Sequence, residues 1–213
     1  MSPAARTNPR KTPRQARASA SVEAVLEAAA RILEAGGSFN TNAVAARAGL
    51  SVGSLYQYFP GKDAVLAALI RREAALFEAA LDHALATAAT LPLADAIAVL
   101  AEVAVAHQTA RPRLARILDF EEQRLGLGGE AGDAAAGVAS RLAAFLSSRR
   151  AEIGDLDPHE AAADLLYLAR GLTDGALEGG RTGGLTQRIT RAALGYLRGP
   201  VLEAAQPQPP PEA

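Results

Sequence analysis

Residues 41–62 read TNAVAARAGLSVGSLYQYFPGK, and they carry the clearest structural signal in the chain. The pattern predicts a short helix over residues 42–48, with Thr41 as its N-cap. A tight turn follows at residues 49–51, and a second short helix is expected over residues 52–58. Two short helices joined by a turn that contains a glycine have the layout of a helix-turn-helix.

The apolar positions of this stretch explain why the two helices would pack together. Four small or aliphatic side chains are expected to turn inward: Val44, Ala45, Ala48 and Leu55. Alanine lets the two backbones approach closely, and Gly49 can adopt the positive φ that a sharp turn requires. Ser51 is placed to cap the second helix, and Phe59 is expected in the core.

The second helix is polar for an element of a core, because four of its residues carry hydroxyl or amide groups: Ser54, Tyr56, Gln57 and Tyr58. Groups of this kind on an outward face suit base edges and phosphates. Gly53 leaves room for a sugar or phosphate. Lys62 stands at a helix start, where the helix dipole gives a cation no benefit. A nucleic-acid partner would explain both positions.

These residues resemble the DNA-binding domain of the tetracycline-repressor (TetR) family of bacterial regulators. The shared pattern is carried by Ala45-Ala46-Arg47-Ala48-Gly49-Leu50-Ser51, Leu55-Tyr56-Gln57-Tyr58-Phe59 and Lys62-Asp63. The resemblance covers about residues 19–70. Two departures are mild: Val44 replaces the usual Ile, and Asn42 stands where a polar or basic residue is frequent.

The resemblance implies a three-helix DNA-binding domain, a larger helical domain, and a two-fold dimer on a palindromic operator. It implies backbone contacts from Thr41 and Asn42 at the start of the second helix of that domain. Major-groove contacts are implied for Val52, Gly53, Ser54 and Gln57. Phosphate contacts are implied for Tyr56, Tyr58 and Lys62.

Composition predicts an all-α protein. Alanine and leucine, both good helix formers, dominate the chain, and runs rich in Val, Ile and Thr are scarce. We divide the chain into a disordered basic arm (1–17), the helix-turn-helix domain (18–64), a helical ligand-binding and dimerisation domain (65–205) and a disordered tail (206–213). The arm has five basic residues and no acidic one, and it could enter the minor groove: Arg6, Arg10, Lys11, Arg14 and Arg17.

Helix boundaries follow from caps and glycines. The first helix is expected to begin at Ser19 or Ser21 and to stop at Gly36. A long helix starts near Lys62. Later helices are expected near 92–110, 112–125, 134–152, 158–178 and 185–198, with loops at 126–132 and 179–184. Asp157 is expected to cap the helix that opens with Pro158, with Glu160 reaching back as in a capping box.

The last two helices are expected to form the dimer interface that the resemblance implies. Their apolar candidates are Leu165, Leu168, Leu172, Ile189, Ala193, Tyr196 and Leu197. The alternative is that these side chains face the protein's own core. A ligand pocket is expected among the middle helices, with candidates Phe77, Leu81, His107, Leu114, Ile117, Phe120, Phe145, Leu166 and Tyr167. Few charges point inward in this prediction, so an apolar or aromatic ligand is expected.

Several other classes of protein are disfavoured. The chain has no cysteine and no H-E-x-x-H pair, so we predict no metal or cofactor. Residues 126–131 fit G-x-G-x-x-A but follow a helix rather than a strand. The most apolar stretch, 91–106, is broken by Pro92, Asp95 and Glu102, so no membrane helix is expected.

We therefore expect a soluble, cytoplasmic regulator and not an enzyme. It would bind double-stranded DNA as a homodimer, and a small molecule would release it from its operator. Two alternatives remain open at this point: an activator on the same scaffold, and a helical small-molecule-binding module without DNA function.

Overall fold

The computed structural model of the protein describes residues 13–199, with the side chains of residues 17–127 and 136–199. Within this range the chain forms helices and no strand, which confirms the all-α prediction. The helices are α1 (Pro13–Ala35), α2 (Thr41–Ala48), α3 (Val52–Tyr56), α4 (Lys62–Ala88), α5 (Leu93–Ala110), α6 (Pro112–Arg124), α7 (Gly128–Ser148), α8 (Arg150–Ile153), α9 (Pro158–Glu178) and α10 (Leu185–Arg198).

Several helix boundaries lie where the sequence predicts them. Helix α1 ends before Gly36, whose φ of 71° only glycine adopts readily. Asp157 caps α9 by accepting hydrogen bonds from the backbone N–H groups of His159 at 2.8 Å and Glu160 at 3.1 Å. These two bonds stabilise the charged carboxylate and therefore lower the pKa of Asp157. The Glu160 side chain makes no return bond in the described structure.

Other predicted boundaries are wrong for local reasons. Helix α1 already begins at Pro13, which is suited to a first helical position, so Ser19 and Ser21 lie inside the helix and residues 13–17 are helical. Residues 1–12 and the predicted tail at 206–213 lie outside the described residues. Helix α7 begins at Gly128, inside the predicted loop, and Arg149 separates it from α8.

The described chain forms two compact units. One contains the residues up to Asp82 together with Ala106–Val138, and the other contains His83–Val105 together with the residues from Ala139 onward. The first unit therefore includes α6 beside the N-terminal helices, a packing that chain order alone does not predict.

The core of the first unit joins five helices. Val25 of α1, Leu55 of α3, Leu69 of α4 and Leu114 of α6 all lie in one buried cluster, and α2 adds Val44. Full burial of such a side chain stabilises a fold by about 1.5–3 kcal/mol. This core holds the two short helices in place, because helices of eight and five residues are not stable alone.

An ion-pair network lies beside this core. Glu27 of α1 accepts hydrogen bonds from Arg111 at 2.9 Å and from Arg31 at 2.7 Å. The bond from Arg111 is the main cause that lowers the pKa of Glu27 to about 2. Arg72 of α4 donates to Glu23 at 2.8 Å and to Glu73 at 2.6 Å. The network ties α1 both to α4 and to the start of α6.

The second unit has its own core, in which Leu93, Leu146 and Ile153 are almost fully buried. Tyr196 of α10 donates a 2.6 Å hydrogen bond to Asp164 of α9. Partial burial and this bond raise the pKa of Tyr196 to about 12. By length and composition alone, α5 is the one described helix that could cross a membrane, a test that core helices also pass.

Candidate nucleic-acid interface

The turn between α2 and α3 is held by backbone geometry. Gly49 ends α2 with a φ of 72°, as its sequence position predicted. The N–H of Leu50 then donates to the carbonyl of Ala45 at 3.0 Å. The N-cap of α2 is Asn40 and not the predicted Thr41: its Oδ1 accepts from the N–H of Ala43 at 2.9 Å. Asparagine and threonine are both good caps, so residue type alone did not decide between the two neighbours.

Helix α3 is fixed at its start and along its inner face. The Oγ of Ser51 accepts from the N–H of Ser54 at 3.0 Å, which confirms the predicted cap, and the two hydroxyls lie 2.8 Å apart. Leu55 is fully buried and is the only buried residue of α3. The helix ends at Tyr56, two residues earlier than predicted. Its orientation therefore depends on one cap and one apolar side chain.

The predicted contact residues lie together on and beside this helix. Five of the nine are polar side chains exposed to solvent: Asn42, Tyr56, Gln57, Tyr58 and Lys62. Gly53 is exposed too, and the other three are half-buried: Thr41, Val52 and Ser54. The hydroxyls of Thr41 and Tyr56 lie 3.4 Å apart and so connect the start of α2 with the end of α3. Lys62 makes no ion pair within the described chain.

An ion pair that the sequence does not predict lies next to Lys62. Arg124, at the end of α6, donates a 2.6 Å hydrogen bond to Asp63 in the first turn of α4. It also donates a 2.5 Å bond to Glu121 of its own helix. The bond from Arg124 lowers the pKa of Asp63, and Asp63 in turn is the main group that raises the pKa of Arg124. No sequence signal could find a pair 61 residues apart.

The predicted pocket residues do not line one cavity. Leu81 and Leu114 are buried, and Leu114 belongs to the core of the first unit. Phe145 is buried in the second unit under the guanidinium of Arg149, whereas Tyr167 is 75% exposed. Leu166 is half-buried against the core of the second unit. The set was chosen for apolarity, which also selects ordinary packing residues.

Two of these candidates form a ring contact in the first unit. The rings of Phe77 and His107 have centroids 4.6 Å apart and planes inclined by 34°. Loss of water around the imidazole lowers the pKa of His107, although Glu73 and Asp119 oppose this effect. The neutral imidazole is therefore the favoured form at neutral pH.

An open cleft of about 610 Å³ runs along α6 in the first unit, lined by Arg113, Arg116, Ile117, Phe120 and Glu121. Ile117 and Phe120 are two of the predicted pocket residues, and Phe120 is 67% exposed. The two arginines of the cleft were not predicted, although their three–four spacing places them on the same helix face as the two apolar residues.

The predicted dimer residues lie mainly inside the chain. Four of the seven are buried in the second unit: Leu165, Ile189, Ala193 and Leu197. Leu168, Leu172 and Tyr196 are half-buried. These four side chains pack in the chain's own core. A dimer contact by the set stays a prediction. Periodicity finds the most apolar face of a helix, and the chain's own core takes that face first.

The outer faces of α9 and α10 have a different character. Tyr167 stands on α9 in line with the exposed Gly171 and Gly175, around which there is open space. Four of the exposed charged residues of α9 are acidic: Glu160, Asp164, Asp174 and Glu178. Arg170, also exposed on this helix, lies 3.8 Å from Asp174, so the outer face is acidic on balance. Helix α10 carries no acidic residue and exposes three arginines: Arg188, Arg191 and Arg198.

A capped helix-turn-helix with an exposed polar face defines a DNA-binding transcription regulator, and comparison with known proteins identifies its family. The family described as "Bacterial regulatory proteins, tetR family" matches residues 25–69. The family described as "Tetracyclin repressor-like, C-terminal domain" matches residues 92–197. The chain belongs to the TetR family of transcriptional regulators and is not an enzyme. No curated protein sequence matches it.

Solved structures share the fold. A putative TetR-family regulator from Mesorhizobium loti superposes with a TM-score of 0.69 at 17% identity, covering 88% of this chain and 96% of its own. LfrR from Mycobacterium smegmatis, solved in complex with proflavine, gives a TM-score of 0.61 at 19% identity, with 88% and 99% covered. The flavonoid-responsive regulator FrrA gives 0.58 at 26% identity, with 83% and 94% covered.

Proposed function

We propose that the protein is a homodimeric repressor that binds a palindromic operator through α3 and is released by a small molecule. The observation that carries this proposal is the construction of α3. A serine cap and one buried leucine hold the helix, and Gln57 directly after it is left exposed. A side chain held out from a fixed short helix can enter a major groove.

The roles proposed for the contact residues follow from their chemistry. Gln57 has an amide that can pair with an adenine edge in the major groove, beside Val52, Gly53 and Ser54. Tyr56, Tyr58 and the unpaired Lys62 suit phosphates. Thr41 and Asn42 suit the backbone, since they open α2. The 3.4 Å approach of Thr41 and Tyr56 supports a common orientation of the two helices toward one DNA strand.

A dimer would supply the second copy of α3 that a palindromic operator requires. In a two-fold interface the same surface of each subunit is used, so α9 of one copy can meet α10 of the other. The acidic outer face of α9 and the basic outer face of α10 are then complementary in charge. We propose these outer faces, with Tyr167 at their centre, in place of the buried side chains that the sequence suggested.

Removal of the Tyr167 side chain is expected to weaken this dimer. Exposed aromatic residues in interfaces are frequent hot spots, and Tyr167→Ala should raise the dissociation constant of the dimer about 30-fold or more. Sedimentation velocity over a concentration series measures this constant. Glu102→Ala, at an exposed position of α5, is the matched control. A Tyr167→Ala dimer as tight as wild type would contradict the proposed interface.

Release by ligand would act through a population shift. The molecule would bind more tightly to dimers whose recognition helices do not match the spacing of the half-sites. The difference between its affinities for the two forms of the dimer sets how far operator affinity falls. The complex of LfrR with proflavine and the name of the flavonoid-responsive FrrA support a small-molecule effector of apolar or aromatic character. We place the protein in the cytoplasm, where its DNA partner lies. Mapping the operator against the transcription start separates repression from activation.

The function is tested by footprinting the full chain on DNA from its own upstream region. We expect two symmetrical protected half-sites about 34–36 Å apart, one helical turn of DNA. Binding should survive excess random DNA and weaken steeply as salt rises. Protection of a single asymmetric site, or none that competes with random DNA, would contradict a dimeric operator-binding repressor.

A further inference from the structure

Two arginines on α6 differ from the other arginines of that region. Arg111 pairs with Glu27, and Arg124 pairs with Asp63 and Glu121. Arg113 and Arg116 are exposed and make no hydrogen bond or ion pair with any described residue. Both line the open cleft along α6. Among the side chains that the structure describes, these two cations of the cleft therefore have no counter-ion.

Apolar surface continues from these cations along the same helix face. Ile117 and Phe120 follow Arg113 and Arg116 at intervals of four residues, and Phe120 is one of the few large hydrophobic side chains left exposed. A helix rises 1.5 Å per residue, so the cleft spans about 12 Å between Arg113 and Glu121. Positive charge at one end and apolar surface beyond it suit an amphiphilic anion.

We propose that the cleft along α6 is the effector site and that it binds an amphiphilic carboxylate with a total length of about 12 Å. The carboxylate would pair with Arg113 and Arg116, since guanidinium groups match carboxylates in geometry and charge. The apolar body would cover Ile117 and Phe120. The inference rests on the proposed function for the role of effector, and it adds a negative charge to the apolar ligand expected from sequence.

The same cleft is connected to the DNA-binding end of α4. Glu121 lines the cleft and also accepts the 2.5 Å bond from Arg124, which in turn holds Asp63 at 2.6 Å. Asp63 follows Lys62, the proposed phosphate contact. An apolar ligand body that reaches Glu121 displaces this side chain and breaks its bond to Arg124. Arg124 then holds Asp63 less firmly, which loosens the start of α4. Occupation of the cleft therefore lowers DNA affinity.

Decanoate is a suitable probe, and decylamine, with the same chain length and the opposite charge, is its control. Calorimetry on the full chain is expected to show binding of decanoate and none of decylamine. Arg113→Gln/Arg116→Gln should weaken decanoate binding at least about tenfold, because two charge-assisted bonds are lost. Arg116→Gln alone, which leaves Arg113 packed against Gly36, should have a smaller effect of the same sign. Arg150→Gln is the control for an exposed arginine outside the cleft.

DNA binding gives the second readout. Decanoate is expected to lower operator affinity of the wild type at least about tenfold, a typical allosteric coupling. Glu121→Gln should reduce the difference in operator affinity between the free and the decanoate-bound protein. Arginine-dependent binding of decanoate by a protein without sequence-specific DNA binding would support the site and contradict the repressor.

Three results would overturn the inference: equal binding of the two amphiphiles, decanoate binding that ignores both arginines, and binding that leaves operator affinity unchanged. A fourth is a loss of DNA affinity in Arg113→Gln/Arg116→Gln with a shallower salt dependence. In that case the arginines contact phosphates and the cleft is part of the DNA interface.

Discussion

Leu55→Ala is expected to destabilise the first unit by about 2–5 kcal/mol and to abolish operator binding. Leu55 is fully buried and is the one buried residue of α3, a helix of five residues. A helix this short has no stability of its own, so the loss of this side chain frees the recognition surface as well as leaving a cavity. Urea unfolding followed by circular dichroism measures the first effect, and DNA anisotropy measures the second.

Leu76→Ala is the matched control for this change. Leu76 lies on α4 and is 57% exposed, so the same truncation should change the free energy of unfolding by less than about 0.5 kcal/mol. Equal effects of the two substitutions on the free energy of unfolding would show that Leu55 does not hold α3 against the core.

Arg149→Ala is expected to destabilise the second unit strongly for a change outside its apolar core. The Nη2 of Arg149 donates to the carbonyls of Ala88 at 2.9 Å, Ala89 at 3.2 Å and Leu91 at 2.6 Å, at the end of α4. Its Nη1 donates to Glu152, and the guanidinium lies 5.5 Å from the ring centroid of Phe145. The carbonyl of Ala88 still accepts from the N–H of Leu91 at 3.2 Å, and that of Ala89 is exposed, so the part-buried carbonyl of Leu91 is the one that loses its donor. An unsatisfied carbonyl of this kind costs about 1–3 kcal/mol, and we expect a loss of about 2 kcal/mol.

The neighbouring residue provides the comparison. Arg150→Ala removes the same side chain from an exposed position and should be close to neutral. Arg149→Lys should lie between the two, because a lysine ammonium cannot spread donors over three carbonyls as the planar guanidinium does. Thermal unfolding of the three variants measures their order of stability. An Arg149→Ala variant as stable as Arg150→Ala would contradict this role.

The sequence was most informative where the physical cause is local. Gly49 ends α2 because the turn needs a positive φ, and Ser51 caps α3 three residues before its partner N–H. Leu55 could be placed in the core because it is the largest aliphatic side chain of a mostly polar helix. The contact residues next to these signals were predicted for the same reason, and their roles stay a prediction.

Contacts distant along the chain could not be predicted in this way. The Arg124–Asp63 pair joins residues 61 apart, and the bond from Arg111 to Glu27 joins residues 84 apart. Apolar periodicity on α10 was real, but it marked the face that the chain buries itself, as Ile189 and Leu197 show. Surfaces that bind a partner or a ligand carry both polar and apolar side chains. Patterns in a single sequence therefore do not distinguish them from faces exposed to solvent.

The claim that α3 reads DNA is tested most directly by comparing Gln57→Ala with Lys62→Ala on operator and random DNA across a salt series. We expect Gln57→Ala to cost about 1–3 kcal/mol on the operator and little on random DNA, because it removes a base contact. Lys62→Ala should weaken binding to both and reduce the salt slope by about one, because it removes a phosphate contact. Wild-type affinity and salt slope in both variants would contradict the account.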